Sequence, residues 1–132
     1  MNGQRNPKIL VVDDLLDMRM VLGLTLKRSG WEVVEAEDGL QAVQAARLER
    51  PDVIIMDYNM PHMNGIEACH EIKHDPDLQQ IPIVIYTGAY ASDVKEAALA
   101  AGADTFLTKP ILPADLRAEV KAAYERSQQA YT

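Results

Sequence analysis

Short apolar runs alternate along this chain with longer stretches that have helical spacing. The runs are KILVV (8–12), EVVEA (32–36), DVIIMD (52–57), PIVIYT (82–87) and TFLT (105–108). Measured between Val12, Val34, Ile55, Ile85 and Leu107, successive runs are 22, 21, 30 and 22 residues apart. Each gap has room for one helix, and the runs are rich in valine and isoleucine, as buried parallel strands usually are. The pattern therefore predicts successive βαβ units and a parallel sheet.

The stretches between the runs carry apolar residues three or four positions apart, as the buried face of a helix requires. Helices are predicted over 16–28, 39–48, 65–74, 93–101 and 113–127. Ser92 is expected as the N-cap of the fourth helix and Gly102 at its end, while Pro113 suits the first turn of the fifth. Five strands and five helices in alternation predict a doubly wound α/β fold, in which ligands bind at the carboxyl ends of the strands.

The length and charge of the chain limit its class. For 132 residues we expect one domain over 1–132, with a core from about 8 to 124 and tails at 1–7 and 125–132. The net charge of −7 repels phosphate backbones, so direct binding to nucleic acid is not expected. No apolar run approaches the roughly 20 residues of a membrane span, and the first residues lack the apolar core of a signal peptide. A cytoplasmic protein without a membrane segment is therefore expected.

Polar side chains follow four of the five predicted strands. Asp13 and Asp14 come directly after the first strand, and Asp57 ends the third. Thr87 ends the fourth strand, and Lys109 follows the fifth. Because parallel strands in successive βαβ units end at the same edge of the sheet, these five side chains are predicted to crowd together.

Each of these residues also has an ordinary structural explanation. Asp13 or Asp14 could cap the following helix, and Asp57 could start a loop by bonding its own backbone. These explanations do not account for the convergence, because three neighbouring carboxylates repel one another. Mg²⁺ would offset that repulsion, since it takes oxygen ligands and usually binds through one or two carboxylates. Lys109 and Thr87 would add a positive charge and a hydrogen-bond donor for phosphate oxygens.

Four segments, ILVVDD, DVIIMDYNMPHMNG, IVIYTG and TFLTKP, resemble in order and spacing the receiver domain of two-component response regulators. The resemblance extends from about Lys8 to Tyr124 and favours a stand-alone receiver of the chemotaxis type. It implies a flavodoxin-like sheet with strand order 2-1-3-4-5. It also implies a phosphoacceptor switch rather than an enzyme, one that only takes a phosphoryl group from a donor and loses it again.

The resemblance implies roles for the residues at the sheet edge. Asp57 would accept the phosphoryl group from the histidine of a sensor kinase or phosphotransfer protein. Thr87 would hydrogen-bond a phosphoryl oxygen, and Lys109, followed by a cis bond to Pro110, would pair with the phosphoryl group. These roles agree with the needs of phosphoryl transfer, which are an in-line nucleophile and neutralisation of charge on the phosphoryl oxygens.

The resemblance also implies a set of Mg²⁺ ligands. Asp14 would ligate the ion directly and Asp13 largely through water. Asp57 would contribute a carboxylate oxygen and Asn59 its backbone carbonyl. Asn59 and Ala89 are expected to influence the lifetime of the phosphoryl group.

For the conformational switch, the resemblance points to Thr87 and to Phe106, the aromatic residue three positions before the lysine. Plain core packing is a competing explanation for Phe106. The downstream protein target is expected to bind the face made by helix four, strand five and helix five. In this sequence that face would include Lys95, Ala98, Phe106 and Leu116.

Other functions stay open at this point. The chain could be the receiver of a longer regulator whose effector domain binds DNA or carries out catalysis. It could also be a small Mg²⁺-dependent phosphatase of the haloacid dehalogenase type, although such enzymes need a second aspartate where this chain has Asn59. A degenerate receiver that acts only as a scaffold is disfavoured by the complete set of edge residues, Asp13, Asp14, Asp57, Thr87 and Lys109.

Three residues on the third predicted helix have weaker functional signals. His70 and His74 stand four apart and could chelate a metal, but no third ligand is in an obvious place, so we expect them on a solvated face. Cys69 falls on the apolar stripe of the same helix and is expected to be buried and inert.

Overall fold

The computed structural model describes residues 6–88 and 91–129, apart from the side chains of residues 91 and 92. Within these residues, strands and helices alternate as follows: β1 Lys8–Val12, α1 Leu16–Arg28, β2 Glu32–Ala36, α2 Gly39–Glu49, β3 Val53–Asp57, α3 Gly65–Lys73, β4 Ile83–Thr87, α4 Ala91–Ala100, β5 Thr105–Thr108 and α5 Pro113–Gln129. The strands form one parallel sheet in the order β2-β1-β3-β4-β5. The predicted doubly wound, flavodoxin-like fold is therefore confirmed.

Several predicted boundaries were wrong by one or two residues. α4 begins at Ala91, so Ser92 lies inside the helix and is not its N-cap. α5 continues to Gln129, two residues beyond its predicted end at 127. Polar residues such as Gln128 and Gln129 give no apolar periodicity, yet they extend a helix whose previous turns are already packed on the sheet. The single-domain interpretation of 1–132 stays a prediction.

The sheet separates two apolar clusters, because successive side chains of each strand point to opposite faces. On one face, Leu10 and Val12 of β1 pack with residues of α2, α3 and α4. On the other face, Ile9 and Val11 pack with residues of α1 and α5. The central strand β3 is buried along its whole length, and Asp57 at its end exposes only 3% of its surface. This burial fixes the position of the Asp57 backbone.

Strand register brings the predicted edge residues to one level. Val12 of β1 pairs with Met56 of β3, so Asp13 and Asp57 follow at the same height. Asp57 pairs with Tyr86 of β4, and Thr87 pairs with Thr108 of β5, the residue before Lys109. The carboxyl edge of the sheet is therefore where any shared chemistry of these side chains has to occur.

The loop after β3 turns sharply against the strand that it leaves. The Gly65 N–H donates to the Tyr58 carbonyl at 2.9 Å, and Asn64 and Glu67 form a capping box that starts α3. A Cβ atom on Gly65 would overlap the carbonyl oxygen of Asp57 and lie 3.0 Å from the Tyr58 Cα. Only glycine allows this close approach of the loop to the end of β3.

None of the helices within residues 6–88 and 91–129 combines the length and the apolar character that a membrane span needs.

Two glycine substitutions test how tightly this loop is built. Gly65→Ala should lower the free energy of unfolding by about 1–3 kcal/mol, because the added methyl group forces the backbone of β3 or of the loop to move. Gly23→Ala is the matched control, since its Cβ would meet only Val33 Cγ1 at an ordinary 3.6 Å inside α1. Gly23→Ala should raise the free energy of unfolding by about 0.5–1 kcal/mol, because alanine has a higher helix propensity than glycine. Urea unfolding measures both changes, and equal stability of the two variants would contradict the close approach at Gly65.

Candidate functional site

An open cleft of about 420 Å³ lies at the carboxyl edge of the sheet. It is lined by Asp14, Leu15, Asp57, Asn59, Thr87, Gly88 and Lys109. Of the five predicted edge residues, four therefore line one space. Asp13, the fifth, is fully buried directly beside them. The structure brings together the residues that the sequence predicted to converge.

Asp57 lies in the cleft between one cation and one backbone donor. Its Oδ2 is 3.4 Å from the Lys109 amine, and its Oδ1 accepts the Asn59 N–H at 3.3 Å. Burial and the charge of Asp13 raise the pKa of Asp57 above its usual range, although Lys109 and the Asn59 N–H act in the opposite direction. The folded protein therefore holds this carboxylate where its charge is not fully compensated.

Asp13, Asp14 and Asp57 form an acidic cluster. One carboxylate oxygen from each lies within 4.8 Å of the other two. In the part of the chain that the structure describes, no other group of three or more histidine, cysteine, aspartate or glutamate side chains comes this close. All three ligand atoms are anionic oxygens, the donor set that suits a hard cation such as Mg²⁺ and not a thiophilic metal. The residues present therefore fit the magnesium ion that the family implies.

Asp13 is held at all four of its polar atoms. Its N–H donates to the Ala36 carbonyl at 3.2 Å, and its own carbonyl accepts from the Arg19 guanidinium at 2.7 Å. Its Oδ1 accepts the Leu15 N–H at 2.9 Å, and its Oδ2 accepts the Tyr86 hydroxyl at 2.6 Å. This carboxylate is thus fixed by the protein itself, in contrast to the exposed Asp14.

Tyr86 is a site residue that the sequence reasoning missed. It is fully buried in β4, and its ring centroid is 5.3 Å from the Lys109 amine. Burial, followed by the hydrogen bond to Asp13 and the negative charge of Asp13, raises the pKa of the Tyr86 hydroxyl, so this group stays protonated and donates a hydrogen bond to Asp13. The available signal was a hydroxyl-bearing ring in an otherwise aliphatic run, directly before Thr87.

Arg19 is a second residue that the sequence reasoning missed. It exposes only 7% of its surface although it lies on α1. Besides the Asp13 carbonyl, its guanidinium contacts Glu35 at 3.0 Å and Glu37 at 3.5 Å. It thereby connects the turn after β1 to the end of β2 and fixes the backbone that carries the acidic pair.

Thr87 and Lys109 are joined through their backbones. Thr87, the last residue of β4, exposes 1% of its surface, and its carbonyl accepts the Lys109 N–H at 2.9 Å. The peptide bond from Lys109 to Pro110 is cis, as the resemblance implies. The carbonyl that Asn59 would offer to a metal stays a prediction, and Ala89 lies outside the described residues.

Two residues assigned to the output face were placed wrongly. Ala98 and Leu116 are buried, at 0% and 1% exposure, because they form the inner stripes of α4 and α5. Neither can contact a partner in this conformation. Lys95 is exposed as expected, and Phe106 is half-buried against the cluster shared with α2, α3 and α4. The switch role of Phe106 stays a prediction.

The three residues with weaker signals, two on α3 and His74 directly after it, lie as expected. The rings of His70 and His74 stack with centroids 3.9 Å apart on the exposed face, and His74 Nδ1 is 2.8 Å from the His70 carbonyl oxygen. Among the described residues, no third side chain joins them as a metal ligand. Cys69 is buried, and burial raises the pKa of its thiol to about 12, which keeps it in the unreactive protonated form.

The family model of the response regulator receiver domain matches residues 9–121. The chain belongs to this family. Receiver domains act as phosphoacceptor switches and not as conventional enzymes, and the family match contradicts the haloacid dehalogenase alternative. The expected resemblance to two-component receivers is confirmed.

Individual relatives agree with the family match. The chain is 38% identical over 125 residues to the alkaline phosphatase synthesis transcriptional regulatory protein PhoP of Bacillus subtilis, covering 95% of this chain and 51% of PhoP. The receiver thus spans about half the length of the curated relatives that it matches. The chemotaxis response regulator CheY4 of Vibrio cholerae has a TM-score of 0.84 and 34% identity, covering 90% of this chain and 99% of CheY4.

The structure of a third relative contains a magnesium ion. The receiver domain of sensor histidine kinase PA1611 from Pseudomonas aeruginosa has a TM-score of 0.85 and 30% identity, covering 92% of this receiver and 99% of that chain. Its structure contains a magnesium ion coordinated in the active site cleft. The acidic cluster of the present receiver is compatible with such an ion.

The raised pKa of Asp57 gives a pH-dependent prediction for the metal-free protein. The native state binds this proton more tightly than the unfolded chain, so the contribution of Asp57 to stability is greatest below its ordinary pKa of 3.8. That contribution is lost as pH rises through the raised folded pKa. At pH 7, Asp57→Asn should therefore raise Tm by a few degrees, and the difference from wild type should shrink as pH falls toward 4.

Thermal unfolding in a chelator across this pH range measures the effect. Asp77→Asn is the control, because Asp77 is exposed and outside the cleft, and its Tm should follow wild type at every pH. A lower Tm for Asp57→Asn at pH 7, or a difference that grows on acidification, would contradict the uncompensated charge at Asp57.

Proposed function

We propose that Asp57 accepts a phosphoryl group from a phosphohistidine of a sensor kinase or phosphotransfer protein, and that this modification switches partner binding. The observation that carries the proposal is that Asp57 lies at 3% exposure in the cleft, with the Lys109 amine 3.4 Å from one of its oxygens. A carboxylate oxygen forms the new bond to phosphorus while the bond from phosphorus to the donor nitrogen breaks. Small acyl phosphates would serve as donors in the same way.

The residues around Asp57 would have different roles in this phosphoryl transfer. The buried end of β3 and the Asn59 N–H hold the Asp57 carboxylate in place. The carboxylate therefore loses little conformational entropy when a phosphodonor binds. The Lys109 amine would form an ion pair with the negatively charged phosphoryl group on Asp57. The Thr87 hydroxyl would donate a hydrogen bond to a phosphoryl oxygen.

Asp14, Asp57 and the Asn59 carbonyl would hold Mg²⁺ directly, with Asp13 acting largely through water. The support is the mutual proximity of three carboxylate oxygens within 4.8 Å. When bound, the ion supplies neutralisation of charge on the phosphoryl oxygens. Without it, phosphorylation would raise the negative charge at position 57 from one to about two, in an already acidic cleft that is lined by Lys109.

The downstream response would use the face of α4, β5 and α5, with Thr87 and Phe106 as the moving residues. Exposed Lys95 and half-buried Phe106 support this choice, while Ala98 and Leu116 no longer belong to it. A protein target and no direct nucleic acid contact are part of the proposal, as is a cytoplasmic location.

Labelling with a small acyl phosphate in the presence of Mg²⁺ tests the proposed phosphoacceptor. Wild type should gain one phosphoryl group by intact mass, and the label should disappear when Mg²⁺ is chelated. Asp57→Asn should remove the label entirely, because position 57 then has no carboxylate to act as nucleophile, while Asp77→Asn at the exposed control position should retain it. Labelling of Asp57→Asn at the wild-type level would overturn the assignment.

A further inference from the structure

Tyr86 places a phenol hydroxyl at the base of the phosphoacceptor site. It is fully buried, and its register partner across the sheet is Asp57. A buried phenol needs a hydrogen-bond partner, and here the hydroxyl donates to Asp13 Oδ2 at 2.6 Å, with the Val12 carbonyl a longer 3.4 Å away. The shorter contact identifies a charge-assisted hydrogen bond to a member of the acidic cluster.

This bond changes what Asp13 can offer to a cation. An ionised carboxylate has two oxygens that only accept, and here the Leu15 N–H takes one oxygen while the Tyr86 O–H takes the other. The hydroxyl also draws electron density from an oxygen that a cation would otherwise attract. Asp14 is exposed in the cleft and is not enclosed in this way.

We propose that Tyr86 is a positioning residue that holds Asp13 back from direct ligation and thereby lowers the affinity of the cleft for Mg²⁺. The inference rests on the proposed function, because it concerns the metal site described there. The metal would then be held mainly by Asp14, Asp57 and the loop after β3, and Asp13 would act as a fixed outer anion. Metal affinity would thus be set partly by a core residue that lines no part of the cleft.

The ring and the hydroxyl of Tyr86 have separable effects. The ring packs in the cluster shared with α1 and α5, and its face lies 5.3 Å from the Lys109 amine. Tyr86→Phe keeps the ring and removes only the donor to Asp13. Any change in Mg²⁺ affinity in this variant therefore reports on the hydrogen bond and not on core volume or on the contact with Lys109.

Calorimetric titration of the unphosphorylated protein with Mg²⁺ alone tests the inference. Tyr86→Phe should bind Mg²⁺ more tightly, with a Kd lower by up to about tenfold, because the freed oxygen can interact with the ion. Its metal-free Tm should fall, since buried Asp13 loses a donor, and saturating Mg²⁺ should recover more of Tm than in wild type. A purely structural role for the hydroxyl would lower the metal-free Tm and leave the Kd unchanged.

A double-mutant cycle with Asp13→Asn shows whether Tyr86 acts through Asp13. In the Asp13→Asn background, Tyr86→Phe should change the Kd for Mg²⁺ by less than about twofold, because the carboxylate that the phenol restrains is gone. Tyr124→Phe is the matched control, since it removes a hydroxyl from a half-buried ring against the same cluster and should leave the Kd at the wild-type value.

The outcomes separate this inference from the proposed function. If wild type binds Mg²⁺ and Tyr86→Phe binds it equally or more weakly, the inference is overturned and the metal site stands. If the Tyr86→Phe effect persists in Asp13→Asn, the hydroxyl acts by another route and the inference is again wrong. If neither wild type nor Tyr86→Phe binds Mg²⁺ at millimolar concentration, the proposed metal site fails and takes the inference with it.

Discussion

The central constraint on this structure is that the fold must hold three mutually repelling carboxylates together at one edge of the sheet. Asp13, Asp14 and Asp57 bring oxygens within 4.8 Å of one another, and two of these residues are buried. Like charges in such a place disfavour one another, so the fold has to hold them by other means. The apolar burial of β1 and β3 supplies that force, because their carboxyl ends cannot separate without opening the core.

The local contacts offset part of the repulsion and leave the rest uncompensated. Hydrogen bonds occupy each polar atom of Asp13, while Asp57 has one lysine at 3.4 Å and one backbone donor. The lysine and the backbone donor stabilise the charged form of Asp57, yet burial and the charge of Asp13 outweigh them and raise its pKa. This uncompensated charge would favour a cation in the cleft, as the proposed function requires, and an aspartyl phosphate would carry more negative charge than the carboxylate it replaces.

The apolar runs were sufficient to predict a parallel sheet and its edge residues, because both follow from patterns of short range, whereas the strand order came from the resemblance to receiver domains. Buried parallel strands are continuous apolar runs, and the residues after them necessarily share an edge. Contacts between distant segments could not be predicted in this way. Whether the Tyr86 hydroxyl reaches Asp13, or Arg19 its carbonyl, depends on side-chain directions that only the packed structure determines. Ala98 and Leu116 were placed on the output face by the resemblance, and the structure shows that both side chains are buried.

The most direct test of this account is a crystal structure of the protein grown or soaked with Mn²⁺, an anomalous scatterer that shares the oxygen-ligand preference of Mg²⁺. The account predicts one strong anomalous peak in the cleft, about 2.1 Å from carboxylate oxygens of Asp14 and Asp57, with the Lys109 amine still facing the same point. Density in which the Asp57 carboxylate or the Lys109 amine faces away from the acidic pair, or a peak bound only elsewhere on the surface, would contradict it.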